Sequence, residues 1–303
     1  MHNSAVRFGL HSGQQYRRIE DCRELWRRAE ALGFDLLSVF DHFRPPLGGP
    51  DGPCFESTTR IRCVMLVSAV TWRHPAVTAA VAATVDHISQ GRLEFGMGAG
   101  GPDLGYQQYG IGFPRRATRL EMLDEACEVL RRLWADEETT FAGTHYRLDR
   151  ARLQPPPVQE HLPLLIGGES DEILRITARH ADVWNTIVAD AGEYQEKLER
   201  LAHHCRAIGR DPDEIRKSVT FRAALSADEA DAQRRRAHIT ATMPPEVVQE
   251  YLTFGTPARC VEDLLTYRKL GVSDFVLGAR PPIDWQTVEL VAREVAPAMR
   301  ETC

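Results

Sequence analysis

The sequence predicts a single (β/α)₈ TIM barrel, an α/β fold with a shortened or missing second helix. Three observations predict it. Apolar, β-rich runs alternate with amphipathic helical stretches, the pattern of repeated βα units. Eight such runs can be picked out along 303 residues. No Pro/Gly/Ser-rich linker, internal repeat or low-complexity tract divides the chain, so residues 1–303 are expected to form one domain. The same alternation also allows an open, doubly wound sheet.

The elements follow in order. VRFGL (6–10) is the first strand. A helix starts near Ile19, with Cys22, Leu25, Trp26, Ala29 and Leu32 on one face, and Gly33 supplies its C-terminal cap. DLLSVF (35–40) is continuously apolar, as in a strand buried on both sides, and it runs straight into Asp41, His42 and Phe43. Between Phe40 and Ile61 the chain reads DHFRPPLGGPDGPCFESTTR, too rich in Pro and Gly for a crossover helix. Further strands are IRCVMLVS (61–68), RLEFGMG (92–98), PLLIGG (163–168), DVWNTIV (182–188), SVTFRAAL (218–225) and DFVLG (274–278). The clearest helix covers 117–134, with Leu120, Leu123, Cys127, Leu130 and Trp134 on one stripe. Others cover 170–180, 193–208, 257–270 and 285–299.

Composition narrows the function. A net charge of -6 and a pI near 6.0 provide no basic face for nucleic acid or an anionic membrane, which leaves a small molecule as the expected partner. The N-terminal stretch lacks a basic region followed by an apolar one, and no apolar run is long enough to cross a bilayer, so a cytoplasmic location is expected. The 7 cysteines are scattered and without a CxxC pair, which predicts buried thiols rather than disulfides or a zinc knuckle. No HxH or HExxH spacing suggests a metal, and the adjacent His203, His204 and Cys205 sit on a polar helix. No GxSxG elbow offers a serine nucleophile. Proton and hydride chemistry remain.

In a barrel of this kind the loops after the strands carry the chemistry. That singles out His11 after the first strand, Asp41 and His42 after the second, Ser68 at the end of the third, and Trp184 and Asn185 in the sixth. His42 has the ordinary titration range of a proton donor or acceptor, and Asp41, its neighbour along a strand, faces the other way. GMGAGGPD (96–103) follows a strand, and its Gly98, Gly100 and Gly101 let backbone N–H groups approach an anion. It lacks the immediately following helix of a Rossmann site, and a permissive loop is the plainer reading. IGGESDEIL (166–174) runs from strand to glycine pair to helix start, where Gly167, Gly168, Glu169 and Ser170 can seat a phosphate. Glu169, Asp171 and Glu172 equally suit a first helical turn that binds nothing.

Four stretches together resemble the luciferase-like flavin and deazaflavin oxidoreductases, and above all their coenzyme F420-dependent branch. They are WRRAEALGFDLLSVFDHF (26–43), WRHPAVTAAVAATVDHISQGRLEFGMGAGG (72–101), YGIGFPRRATRLEMLDEA (109–126) and IGGESDEILRITARHADVWN (166–185). The resemblance implies a bacterial-luciferase-like barrel, a homodimer without metal, and F420 at the barrel mouth, with FMN as the alternative cofactor. It implies that Asp41 and His42 lie near the ring and the reacting substrate. Met65, Leu66, Val67 and Ser68 then match a third-strand bulge behind the ring, often with a non-prolyl cis peptide. Ala99, Gly100 and Gly101 match a phosphate or tail loop, and Gly167, Gly168 and Glu169 a second cofactor turn. A glutamate that acts as acid in a sugar-phosphate-oxidising relative falls at Gly101, so that reaction is not implied. Trp72 and Trp184 are candidate pocket walls, or else core or dimer contacts. Arg280 is a candidate anion contact, or else a surface ion pair. The functions left open are F420-dependent hydride transfer, an FMN-dependent monooxygenase, and a barrel that binds without catalysis.

Overall fold

A computed structural model of the chain describes residues 5–12, 18–41, 57–101, 104–188, 190–279 and 282–302. Eight parallel strands close into a barrel: β1 (Arg7–His11), β2 (Leu36–Asp41), β3 (Arg62–Ala69), β4 (Leu93–Gly98), β5 (Leu164–Gly167), β6 (Val183–Ile187), β7 (Arg216–Leu225) and β8 (Val272–Gly278). Each pairs with its neighbours in chain order, and β8 returns to β1 with Phe8 opposite Phe275 and Leu10 opposite Leu277. These are the eight strands expected from the apolar runs. Their ends differ by one or two residues, and β7 and β8 each begin two residues earlier.

Helices α1 (Ile19–Ala31), α2 (Pro75–Ile88), α3 (Arg116–Ala135), α4 (Asp171–His180), α5 (Ala191–Ala207), α6 (Glu229–Thr242) and α7 (Pro257–Lys269) connect the strands. Gly33 ends α1 as expected. Its φ is +85°, its N–H donates to Glu30 O, and Phe34 N–H reaches Ala29 O, which together satisfy the last carbonyls of the helix. The stretch expected as one helix over 285–299 is interrupted by a π turn, Val291–Val295, between Trp285–Leu290 and Ala296–Glu301. Pro297 explains it: a proline lacks the N–H that an α turn would use, and the wider turn removes its clash with the preceding carbonyl. The residues on which a missing second helix was expected fall mainly on 42–56, outside the described residues.

Helices α2 and α6 were not placed by the sequence pattern, and neither were two further strand features. Thr139–Ala142 and Arg147–Ala151 form an antiparallel hairpin beside α3. Tyr251–Gly255 adds a short parallel strand to the last four residues of β7, beyond where β8 leaves it.

The strands alternate. Phe8, Leu10, Leu37, Phe95, Ile166, Val219 and Phe275 face the helices and form the main core. Inside the barrel, Leu36, Val64, Leu165, Val183 and Val276 make an apolar waist. Polar side chains occupy both ends of that interior. Cys63, Cys127, Cys205 and Cys260 are buried free thiols, and Cys22 is buried as well. Among the described residues no helix is long and apolar enough to cross a membrane.

Candidate active site

At the carboxyl ends of the strands the barrel opens into a cavity of about 440 Å³. That lies within the roughly 300–1,000 Å³ of small-molecule sites. His11 closes it on the β1 side and Gly278 on the β8 side. Leu66 and Val67 form an apolar wall, Gly167, Gly168 and Glu169 a second wall, and Asn185 to Ile187 with Thr220 to Arg222 the far side. Glu250 stands at the rim.

The Leu66–Val67 wall is a bulge in β3. Pairing with β2 slips between Val39 and Asp41, pairing with β4 slips between Val64 and Ser68, and the Leu66–Val67 peptide is cis. The bulge fits because three glycines make room for it. A Cβ on Gly96 would stand 2.1 Å from the Met65 carbonyl oxygen, one on Gly98 2.9 Å from Val67 Cγ2, and one on Gly167 3.0 Å from Val67 Cγ1. Gly96 was not singled out by sequence. Its inward position on β4, two residues before Gly98, was the available signal.

Asp41 is clamped rather than poised. Arg73 donates to both carboxylate oxygens, from Nη1 to Oδ2 and, at 2.8 Å, from Nη2 to Oδ1, and Ser68 Oγ donates to Oδ2 at 2.5 Å. The hydrogen bond to Asp41 raises the Arg73 guanidinium above its ordinary value. Two strand ends are thereby tied to the start of α2, and Asp41 itself is not among the residues lining the cavity. Arg73 was missed because a lone arginine before His-Pro carries no local mark of its partner. His42 and Arg280, expected beside the substrate, lie outside the described residues.

The second glycine turn is braced from behind. Gly168 adopts φ +126°, its N–H donates to Asn185 O at 3.1 Å, and its carbonyl accepts from Trp184 Nε1 at 2.8 Å. The Gly168 N–H is therefore already used. Trp184 faces the helices, fully buried and stacked on Tyr194, so it supports this turn instead of lining the pocket. Its neighbour Asn185 faces inward, held by Ser218 Oγ at 2.9 Å. Ser170 caps α4 through Ile173 N. The acidic residues here are each paired: Glu169 with Lys197 at 2.5 Å, Asp171 with His204 at 3.1 Å and Glu172 with Arg116 at 2.9 Å.

The first glycine loop is organised by Arg119, another residue that sequence did not mark. Its guanidinium donates to the carbonyls of Ala99 at 3.0 Å, Pro114 at 2.5 Å and Gly100 at 3.5 Å, and lies 3.9 Å over Phe113. Because N–H and C=O point opposite ways across a trans peptide, the N–H groups of Gly100 and Gly101 face away from Arg119. Trp72 stacks on Tyr106 at 4.1 Å, and Tyr106 packs on Phe113. Trp72 therefore belongs to an aromatic stack on this loop. Gly100 has φ +76°, and a Cβ there would meet the Tyr106 hydroxyl at 2.8 Å.

Met65 packs outward against the helices, away from the cavity. Of the expected residues, then, His11, Leu66, Val67, Gly167, Gly168, Glu169 and Asn185 meet around one cavity. Arg222 and Glu250 join them unannounced, as an ion pair at 2.7 Å.

A model of the family described as luciferase-like monooxygenase matches residues 2–243. Over 312 residues the chain is 25% identical to an F420-dependent glucose-6-phosphate dehydrogenase of Intrasporangium calvum, covering 90% of this chain and 92% of the relative. Over 183 residues it is 31% identical to a pyrimidine monooxygenase of Acinetobacter baylyi, covering 59% of this chain and 48% of the relative. Among solved structures, an F420-dependent secondary alcohol dehydrogenase, with an F420-acetone adduct, superposes with a TM-score of 0.81 at 21% identity, over 97% of this chain and 99% of the other. That last likeness shows the fold.

Proposed function

The chain belongs to the luciferase-like monooxygenase family, and we propose that it acts within it as a coenzyme F420-dependent oxidoreductase on a small organic substrate. The observation that carries the reading is the cavity at the strand ends, one wall of which is the Leu66–Val67 bulge seated among Gly96, Gly98 and Gly167. An apolar wall facing a polar one suits a flat ring with hydrogen-bonding edges. Similarity over nearly the whole chain to an F420-dependent relative favours the deazaflavin over FMN.

When bound, F420 supplies two-electron hydride transfer at C5. The protein's part is orientation and proton handling. Leu66 and Val67 hold the ring plane, and Asn185 and Thr220 offer hydrogen bonds to an oxygen opposite them. The loops at 98–101 and 167–170 hold the phosphate-bearing tail, the first with N–H groups turned out by Arg119. Asp41, locked by Arg73, keeps β2 and the β3 bulge in register. The group expected to move a proton after β2 is His42. Residues 1–303 are read as one barrel domain.

A homodimer is part of the reading. Helix α2 is apolar around its circumference, with Val77, Val81 and Ile88 left about half exposed. Val77→Glu with Val81→Glu is expected to convert a dimer to a monomer by light scattering; an unchanged mass removes this face as the contact.

The test of function is a fluorescence titration of the purified protein with F420, in parallel with FMN. Binding of F420 at least about tenfold tighter than FMN, a difference of about 1.4 kcal/mol, is expected. A panel of alcohols, aldehydes and ketones then reports turnover with oxidised or reduced F420. Tight FMN binding with consumption of dioxygen would instead establish the monooxygenase reading, which the pyrimidine monooxygenase relative favours. Cofactor binding without turnover on any compound would support a non-catalytic barrel.

A further inference from the structure

We propose that Glu250 sets the substrate class: paired with Arg222, it cancels a cation in the strand-end cavity and selects uncharged alcohols, aldehydes or ketones against carboxylates and phosphate esters. The inference rests on the reading above, because it names the compounds on which that oxidoreductase would act.

The pair is assembled where the sheet is uneven. β7 runs past its neighbour, and pairing with β8 ends at Phe221, opposite Leu277. From Arg222 onward the edge of β7 is taken by the short strand Tyr251–Gly255, which starts with Tyr251 opposite Arg222. Glu250 is the residue just before that strand, so it arrives at the level of Arg222. Its Oε2 lies 2.7 Å from Arg222 Nε, and both side chains line the cavity, at 28% and 13% exposure.

The charges on the cavity wall then decide what enters. The ionisable side chains among the described lining residues are His11, Glu169, Arg222 and Glu250. Glu169 is paired with Lys197, which stands behind the wall, and Arg222 with Glu250. Arg222 is thus the one permanent cation among these four, and a carboxylate stands against it. An entering anion would lose water and meet no excess of positive charge on these residues. That cost falls on charged compounds and not on neutral ones. Asn185 and Thr220, which line the same cavity, suit a hydroxyl or carbonyl oxygen.

Stability does not account for the pair. Ion pairs this near solvent add little to it. A charge on a cavity wall, in contrast, acts on every ligand that enters, through surroundings that screen it less than water does.

The test measures KM in F420-loaded protein for matched compounds: each neutral member of the panel beside its counterpart bearing a carboxylate or a phosphate ester. Wild type is expected to show the lower KM for the neutral member. Glu250→Gln keeps the shape of the side chain and removes one negative charge. It is expected to lower the KM of the anionic member relative to the neutral one by about tenfold. Removing both charges, in Glu250→Gln with Arg222→Met, is expected to bring that ratio back toward wild type. A second arm needs no substrate: inorganic phosphate, titrated calorimetrically in excess F420, should bind Glu250→Gln about tenfold more tightly than wild type, and added sodium chloride should narrow the gap. An anionic member preferred by wild type, or a KM ratio and phosphate affinity unmoved in Glu250→Gln, overturns the proposal. Protein that binds no F420, or turns over no compound, defeats the functional reading itself, while the phosphate titration still reports on Glu250.

Discussion

The two ends of the barrel interior are both polar, and they are built on opposite rules. At the amino-terminal end, charge is packed against charge. Arg7, Arg62 and Arg216 converge on Glu94, and Arg7 and Arg216 also hold Asp274, with most contacts at 2.6–2.8 Å. Both carboxylates are at most 3% exposed. At the carboxyl-terminal end, inward positions of the barrel strands carry His11, Gly167, Asn185, Thr220 and Gly278 around a cavity. Hydrogen-bonding groups there face space a ligand can fill. One end spends its polar groups on one another, and the other reserves them, which is why conserving the first would preserve stability and altering the second would alter chemistry.

The largest expected effect tests the closed end. Glu94→Ala would leave three half-buried guanidiniums, of which Arg7 and Arg216 keep Asp274 and Arg62 loses its carboxylate, and loss of one partner from a buried network costs about 3–5 kcal/mol. Urea unfolding should show it, with F420 affinity in the surviving folded protein unchanged; an equal loss of affinity would mean the two ends are not separate. Acid should reach the same network. Burial alone would raise the Glu94 carboxyl, but Arg216, Arg7 and Arg62 override it and hold it at about 2, below its ordinary 4.5. A carboxyl lowered on folding stabilises above its unfolded value, and that contribution disappears as pH falls from about 4.5 to about 2. Glu94 would contribute about 3 kcal/mol to that loss. In Glu94→Gln the acid limb of a stability-against-pH curve should flatten by a comparable amount.

A smaller effect is expected where the two ends meet. Gly96 lies one inward position above Glu94 on β4, against the Met65 carbonyl. Gly96→Ala must push the bulge aside, which costs about 1–3 kcal/mol as overpacking and moves Val67 into the cavity. Stability and cofactor affinity should therefore fall together, unlike Glu94→Ala. A variant that loses only stability would show that the bulge does not shape the site.

The same contrast governs how much the amino-acid sequence disclosed. The eight strands were legible because their outward residues are apolar and each run ends in turn-forming or polar residues. The strand Tyr251–Gly255 was not: five residues after a Pro-containing stretch give too short a pattern, and it exists because β7 outruns its partner β8. At the site, residues with local signatures were found, such as the glycine turns and His11. Partners were not. Arg73, Arg119, Lys197 and Glu250 act through contacts 19 to 32 positions away, as in Arg73 with Asp41, Arg119 with Gly100 and Lys197 with Glu169. Of the readings left for Trp184, the core is the one the structure gives: alternation along β6 allowed only one of Trp184 and Asn185 to face inward, and indole against amide was decided by the apolar helix layer outside.

The smallest effect on stability is expected from an arginine at the open end, and it sharpens the comparison within one strand. Arg216 and Arg222 both lie on the inner face of β7. Arg216 meets two buried carboxylates, whereas Arg222 meets Glu250, whose side chain is 28% exposed at the rim. A partly solvated pair of this kind is worth about 1 kcal/mol or less. Arg222→Met should therefore change the unfolding midpoint little, while the same change at Arg216 should resemble Glu94→Ala. The effect of Arg222→Met should appear in the cavity, where losing the cation leaves Glu250 to repel anionic compounds. Ranking the panel of carbonyl compounds by KM, carboxylate-bearing members should weaken relative to neutral ones by about tenfold. If instead Arg222→Met unfolds as readily as the Arg216 variant, β7 is charged for stability along its whole inner face, and the division between the two ends fails at that strand.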